Sequence, residues 1–203
     1  MERFARSATH SHPPSSFVHF VFSLSFSLFL SPGINVFLDD LIAGVGETRS
    51  GISFTYSVAL VVSAVLTPFA GQAVDRYGVQ VVGPIAVVLF GMALFGLSYA
   101  QTGLQLGLFF SLLRFAGPEC LYVCTNTTLF RWWVKRRGFI AMIRSLDEAF
   151  MVGFPAVIGS LLRSVGWRAT YRTVGYAAFS VGAVAMWALR SKPEDYGLLP
   201  DGM

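Results

Sequence analysis

The chain has 203 residues, of which 54% are hydrophobic, 15% aromatic and only 13% charged, with a mean hydropathy of +0.61. Soluble domains carry about 25% charged residues, so a water-facing globule, a disordered segment, collagen and a coiled coil are all excluded. The net charge of +4 invites a nucleic-acid reading, but the placement of the charges accounts for it better.

A bilayer core about 30 Å thick needs about 20 mostly apolar residues per crossing helix. In chain order, such runs occupy residues 16–38, 51–73, 79–100, 104–130, 138–162 and 169–189. The first three are clean, while the fourth and fifth carry charges and rest on length and context. Helices are expected because lipid offers no partner to an open sheet edge. The alternative, buried core helices of a soluble protein, fits the lengths poorly. Pro32, Pro68, Pro84, Pro118 and Pro155 fall inside the runs. Each would cost about 3 kcal/mol in a soluble helix interior, and membrane helices tolerate them. The sequence thus predicts an all-α membrane protein. It comprises a tail over 1–15, a six-helix bundle over 16–190 and the start of a linker over 191–203. No signal peptide is expected, since the first run is too long and lacks a cleavage site. The weakly Arg/Ser-rich N-terminus leaves an organellar address open.

The connections alternate in basic content. One side receives Arg3, Arg6, Arg76, Arg131, Lys135, Arg136, Arg137, Arg190 and Lys192. The other receives Arg49, Arg163, Arg168 and the nearby Arg172. The positive-inside rule makes the first side cytoplasmic, with both termini there. RWWVKRR then reads as a cytoplasmic loop with Trp132 and Trp133 at the interface, not as a stacking patch for nucleic acid. Asn126-Thr127-Thr128 matches the glycosylation pattern but falls at the cytoplasmic end of a span. Cys120 and Cys124 show no disulfide or zinc spacing and are expected to pack on one helix face. His10 and His12 read as solvated tail residues, and His19 is also N-terminal. No metal site, cofactor or catalytic nucleophile is expected, so the chain is not read as an enzyme.

Gly71–Gly78 and Gly159–Gly166 each enclose a connection, each with glycines seven apart, and each closely follows a proline. Three spans separate them, so a second copy would enter the membrane from the opposite side. That arrangement is a 3+3 inverted repeat, the plan of many secondary transporters.

The stretch GQAVDRYG resembles the signature loop G-x-x-x-D-[RK]-x-G of the major facilitator superfamily, with Gly71, Asp75, Arg76 and Gly78 in the matching positions. Val79 and Gln80 stand where that family usually continues with basic residues. RWWVKRRGFIAMI, GWRATY, SKPEDYGLLPDG and the Ser31-Pro32-Gly33 region resemble the monocarboxylate-transporter and oxalate/formate-antiporter branch. The resemblance implies half of a twelve-helix fold, with a second six-helix half as partner. It also implies that a basic residue binding the carboxylate lies in that second half. The transported species would be a small organic anion, expected to be a monocarboxylate, moved by proton symport or anion exchange.

Charges inside a bilayer cost at least about 2.5–3.5 kcal/mol and mark functional candidates. They are Arg114, Glu119, Arg144, Asp147 and Glu148. At about 1.5 Å per residue, Arg114 lies near the midplane and Glu119 about 8 Å further in. Asp147 and Glu148 approach the midplane from the other side. Matching depths pair Arg114 with Asp147 or Glu148, and Glu119 with Arg144. Local pairing among Arg144, Asp147 and Glu148 at i, i+3 and i+4 is an alternative. In the functional reading Arg114 binds or steers an anion, and Asp147 or Glu148 is its counter-ion or a proton carrier. In the structural reading the same charges only hold two helices together. Arg114 also resembles the family's R-x-x-x-G motif, altered here to Gly117-Pro118-Glu119. The branch commonly has small residues at the positions of Asp147 and Glu148. Gly91, Gly96, Gly175, Ala178 and Gly182 are expected to let backbones approach closely. Asn35 and Thr125 would line a cavity or, more simply, pack. The rival to transport is a truncated or accessory membrane protein that assembles with a full-length relative.

Overall fold

The computed structural model describes residues 33–132, 138, 142 and 154–188. The helices are α1 (Gly33–Val45), α2 (Arg49–Tyr77), α3 (Val79–Tyr99), α4 (Gly103–Arg114), a π-helical turn (Phe115–Leu121), α5 (Tyr122–Trp132) and α6 (Phe154–Ala188). Three stretches, Arg49–Tyr77, Val79–Tyr99 and Gly103–Thr128, are long and apolar enough to cross a bilayer. The first run extends further than expected: α1 continues past Leu38 to Val45. Hydropathy alone ends it at Asp39 and Asp40, which are exposed, yet the next residue, Leu41, is fully buried.

Local chemistry fixes the helix ends. Gly46, at φ 76°, stops α1, and its N–H reaches the Ile42 carbonyl at 3.0 Å. The Thr48 hydroxyl accepts from the Gly51 N–H at 3.0 Å and starts α2. Thr102 does the same for α4, accepting from Gln105 N–H at 3.3 Å. The Gln105 side chain reaches back to accept from the Gln101 N–H at 2.8 Å, a near variant of the capping box.

Gly78 alone joins α2 to α3. Its φ of 79° and ψ of 161° lie in a region open essentially to glycine. Its N–H donates to the Val74 carbonyl at 2.9 Å, and its own carbonyl accepts from Val82 N–H at 3.2 Å. Gly166, 88 residues later, has nearly the same backbone at φ 78° and ψ 164° and breaks α6 into two helices.

α3 is the centre of the packing, touching α2, α4, the π turn, α5 and α6. Val79, Ala86, Val87, Phe90, Leu94 and Leu97 are buried along it. Small residues make this possible. A Cβ on Gly91 would run into the Phe179 ring, one on Gly96 into Phe109, and one on Gly182 into Val87. Gly175 lies against Phe95, with 3.3 Å available for a Cβ. α2 instead turns a stripe of Phe54, Val61, Val65 and Phe69 outward, each between 60% and 71% exposed. Such a face suits hydrocarbon rather than water.

Several hydroxyls inside the helices are satisfied on their own backbone. Ser63 donates to the Leu60 carbonyl, Ser111 to Gly107, Thr125 to Leu121, Thr128 to Cys124 and Thr170 to Gly166, all between 2.7 and 3.0 Å. This is the expected behaviour where no water is at hand. Thr125 and Thr128 are buried, which favours packing over cavity lining.

One end of the bundle is tied together by the GWRATY segment. Arg168 donates through both terminal nitrogens, to the Ser98 and Ala100 carbonyls at 3.3 Å each, capping the end of α3. Its guanidinium lies 4.5 Å from the Trp167 ring. Trp167 packs so tightly on α1 that a Cβ at Gly44 would stand 2.7 Å from its Nε1. Tyr171 stacks on Phe37 with centroids 4.5 Å apart. Glu47 and Gly103 meet at this same end.

Candidate functional site

The altered geometry of the fourth span begins with proline. Pro118 has no N–H, so in a regular helix the Arg114 carbonyl would lose its partner four residues on. A π turn pairs residues five apart and brings the Glu119 N–H into register instead. The sequence FAGPECL adopts this turn, between the α4 and α5 segments of one continuous rod. Such turns recur at functional sites.

Of the sequence-derived charges, Glu119 lies within it and Arg114 immediately precedes it. Arg114 is the last residue of α4 and is half-buried, and its Nε is fully buried with no hydrogen-bond partner among the described residues. An arginine keeps its charge at any ordinary pH, and an unanswered buried donor costs about 1–3 kcal/mol. Glu119, also half-buried, is not without company. Its Oε2 accepts from the Thr67 hydroxyl of α2 at 2.9 Å. The same hydroxyl lies 3.0 Å from the Ser63 carbonyl. With one hydrogen, Thr67 serves one acceptor at a time.

Thr67 is the residue that sequence reasoning missed. Its signal was available: a threonine beside Pro68, at the depth in the second span that Glu119 reaches in the fourth. Arg144, Asp147 and Glu148 lie outside the described residues, as do the pairings expected of them. Cys120 and Cys124 are free and buried, four apart along the span.

The signature-loop residues lie apart from these charges, at the end of α2 remote from Glu47. Asp75 and Arg76 belong to the last turn of that helix, and Arg76 lies 5.6 Å from the Tyr77 ring. Gly78 is the turn itself. Gly71 and Gly78 both have open space for a Cβ within 4 Å, but Gly71 lies within α2 and lacks the positive φ of Gly78.

A sequence model of the Major Facilitator Superfamily matches residues 15–201. The chain belongs to that superfamily. It is 25% identical over 165 residues to Monocarboxylate transporter 7 of Homo sapiens, covering 81% of this chain and 32% of that protein. It is also 25% identical over 182 residues to Membrane sensor protein UhpC of Salmonella typhimurium, covering 86% of this chain and 40% of that protein. The chain therefore spans about a third to two-fifths of the length of these curated relatives. Superfamily membership and the three long apolar helices together identify an integral membrane protein.

Proposed function

We propose that this member of the Major Facilitator Superfamily supplies the first six-helix bundle, a 3+3 inverted repeat, of a secondary transporter for small organic anions, with monocarboxylates the expected class. The bundle rocks against a second six-helix bundle about a site near the midplane. Arg114 anchors the anion, and Asp147 or Glu148 carries the proton or acts as counter-ion, giving symport or exchange. Arg144 contributes to the same charge network. Both termini are cytoplasmic in this reading, so the Gly78 turn faces the cytoplasm.

The observation that carries the reading is the buried Nε of Arg114, without a hydrogen-bond partner among the described residues, beside a π turn in an apolar span. A fixed cation inside hydrocarbon is costly and is kept where it has work. The equivalence of Gly78 and Gly166 supports the repeat, and the likeness to a protein named Monocarboxylate transporter 7 supports the substrate class.

The test is uptake of labelled lactate, formate or oxalate into proteoliposomes, for wild type and Arg114→Ala. Loss of at least about tenfold in Arg114→Ala is expected, equivalent to about 1.4 kcal/mol of anion binding. Equal uptake by both overturns the role of Arg114. A second reading, anion binding without transport, gains from the likeness to a protein named a membrane sensor. It is distinguished by Arg114-dependent binding with no uptake.

A further inference from the structure

Arg114 and Glu119 are five residues apart on one rod. In an α-helix such residues diverge by about 140° around the axis. A π turn, whose bonds run from one residue to the fifth beyond it, swings them toward a common face. Opposite charges placed this way in a medium of low dielectric attract strongly. Among the described residues they are not paired. The Nε of Arg114 is buried and unanswered, while Glu119 takes the Thr67 hydroxyl from the neighbouring helix at 2.9 Å.

We propose that Thr67 is a positioning residue: it holds the Glu119 carboxylate against the second span and so keeps the Arg114 guanidinium open to a carboxylate-bearing anion. The inference rests on the anion-binding reading above. Glu119 is an internal competitor for the site, since its own carboxylate is the same chemical group as the proposed ligand. The Thr67 hydroxyl lies 2.9 Å from Glu119 Oε2 and 3.0 Å from the Ser63 carbonyl, and the bond to Glu119 is the one that ties two helices together. Without the hydroxyl, the carboxylate is left without this donor in an apolar span, and Arg114 becomes its best partner. The placement reinforces the point, because Thr67 precedes Pro68 and Glu119 follows Pro118. The bond thus joins the two helices beside the prolines that disturb each of them.

The experiment uses the full chain purified in detergent, as wild type, Thr67→Ser, Thr67→Val, Thr67→Val with Glu119→Gln, and Arg114→Ala. Phenylglyoxal labelling of Arg114, read by mass spectrometry, needs no ligand. Wild type and Thr67→Ser should label alike, Thr67→Val should be protected, and the double variant should regain reactivity. Lactate binding by equilibrium dialysis should follow the same pattern. The expected loss in Thr67→Val is about tenfold or more, as for a charge-assisted hydrogen bond. The proposal is overturned if Arg114 of the wild type resists labelling. It is also overturned if Thr67→Val labels like wild type, or if Glu119→Gln fails to restore labelling. Absent lactate binding, or binding unchanged in Arg114→Ala, sinks the anion reading alone, and the labelling pattern still decides the role of Thr67.

Discussion

Gly78 and Gly71 both belong to the signature loop, yet they differ in what a side chain would cost. At Gly78 the backbone itself, at φ 79° and ψ 161°, excludes a Cβ. Gly78→Ala is expected to destabilise the bundle by about 1–3 kcal/mol, and Gly166→Ala by a similar amount. Gly71 lies inside α2 with open space around it, so Gly71→Ala should be neutral or slightly stabilising. Thermal unfolding in detergent micelles separates the three. If Gly71→Ala also impairs uptake, the loss belongs to contacts made with the proposed second bundle rather than to folding. At this scale the sequence was informative about identity and less so about partnership. Arg114 and Glu119 stood out because charges in apolar runs are few. Thr67 did not, because a threonine in a helix ordinarily bonds its own backbone, as Thr125 and Thr128 do here. Depth matching by residue rise paired charges with charges and had no means of weighing a hydroxyl.

Hydropathy located the second, third and fourth rods closely, because in lipid the boundary of a span is the boundary of its apolar run. Its error fell on the first run, where two exposed acids interrupt the pattern without interrupting the helix. Composition could not foresee the π turn, although Pro118 supplies its cause. The close approaches expected at Gly91 and Gly182 are present, and the structure shows that they are made between the third and sixth spans. GWRATY was legible only as a likeness, and its physical role emerges from the packing: it binds the ends of α1, α3 and α6 together. That role depends on a planar fork reaching two carbonyls while lying over an indole. Arg168→Lys keeps the charge but cannot do both, so it should recover little of the stability that Arg168→Ala loses, about 1.5 kcal/mol. Recovery to the wild-type unfolding temperature by the lysine variant would show that charge alone suffices.

For the molecule as a whole, the contacts set two opposite ends. Glu47, Ala100, Gly103, Trp167 and Arg168 gather at one, and Tyr77 and Gly78 lie at the far end of the 29-residue α2. The basic asymmetry predicts which end is cytoplasmic. In sealed vesicles with the cytoplasmic face inward, a membrane-impermeant maleimide should label Glu47→Cys at once and Tyr77→Cys only after permeabilisation. The native Cys120 and Cys124 are buried and should add little background. Labelling of both positions from one side would break the alternating topology. The twofold use of one glycine geometry, at Gly78 and Gly166, fits a chain that repeats its own plan in inverted form.

A single residue separates α2 from α3. A tether that short reaches only about 3.5 Å and has no slack to give. The adjoining ends of the two rods therefore cannot separate, and the chain must reverse its direction within the single glycine. A protease reaching that end would find no loop to nick.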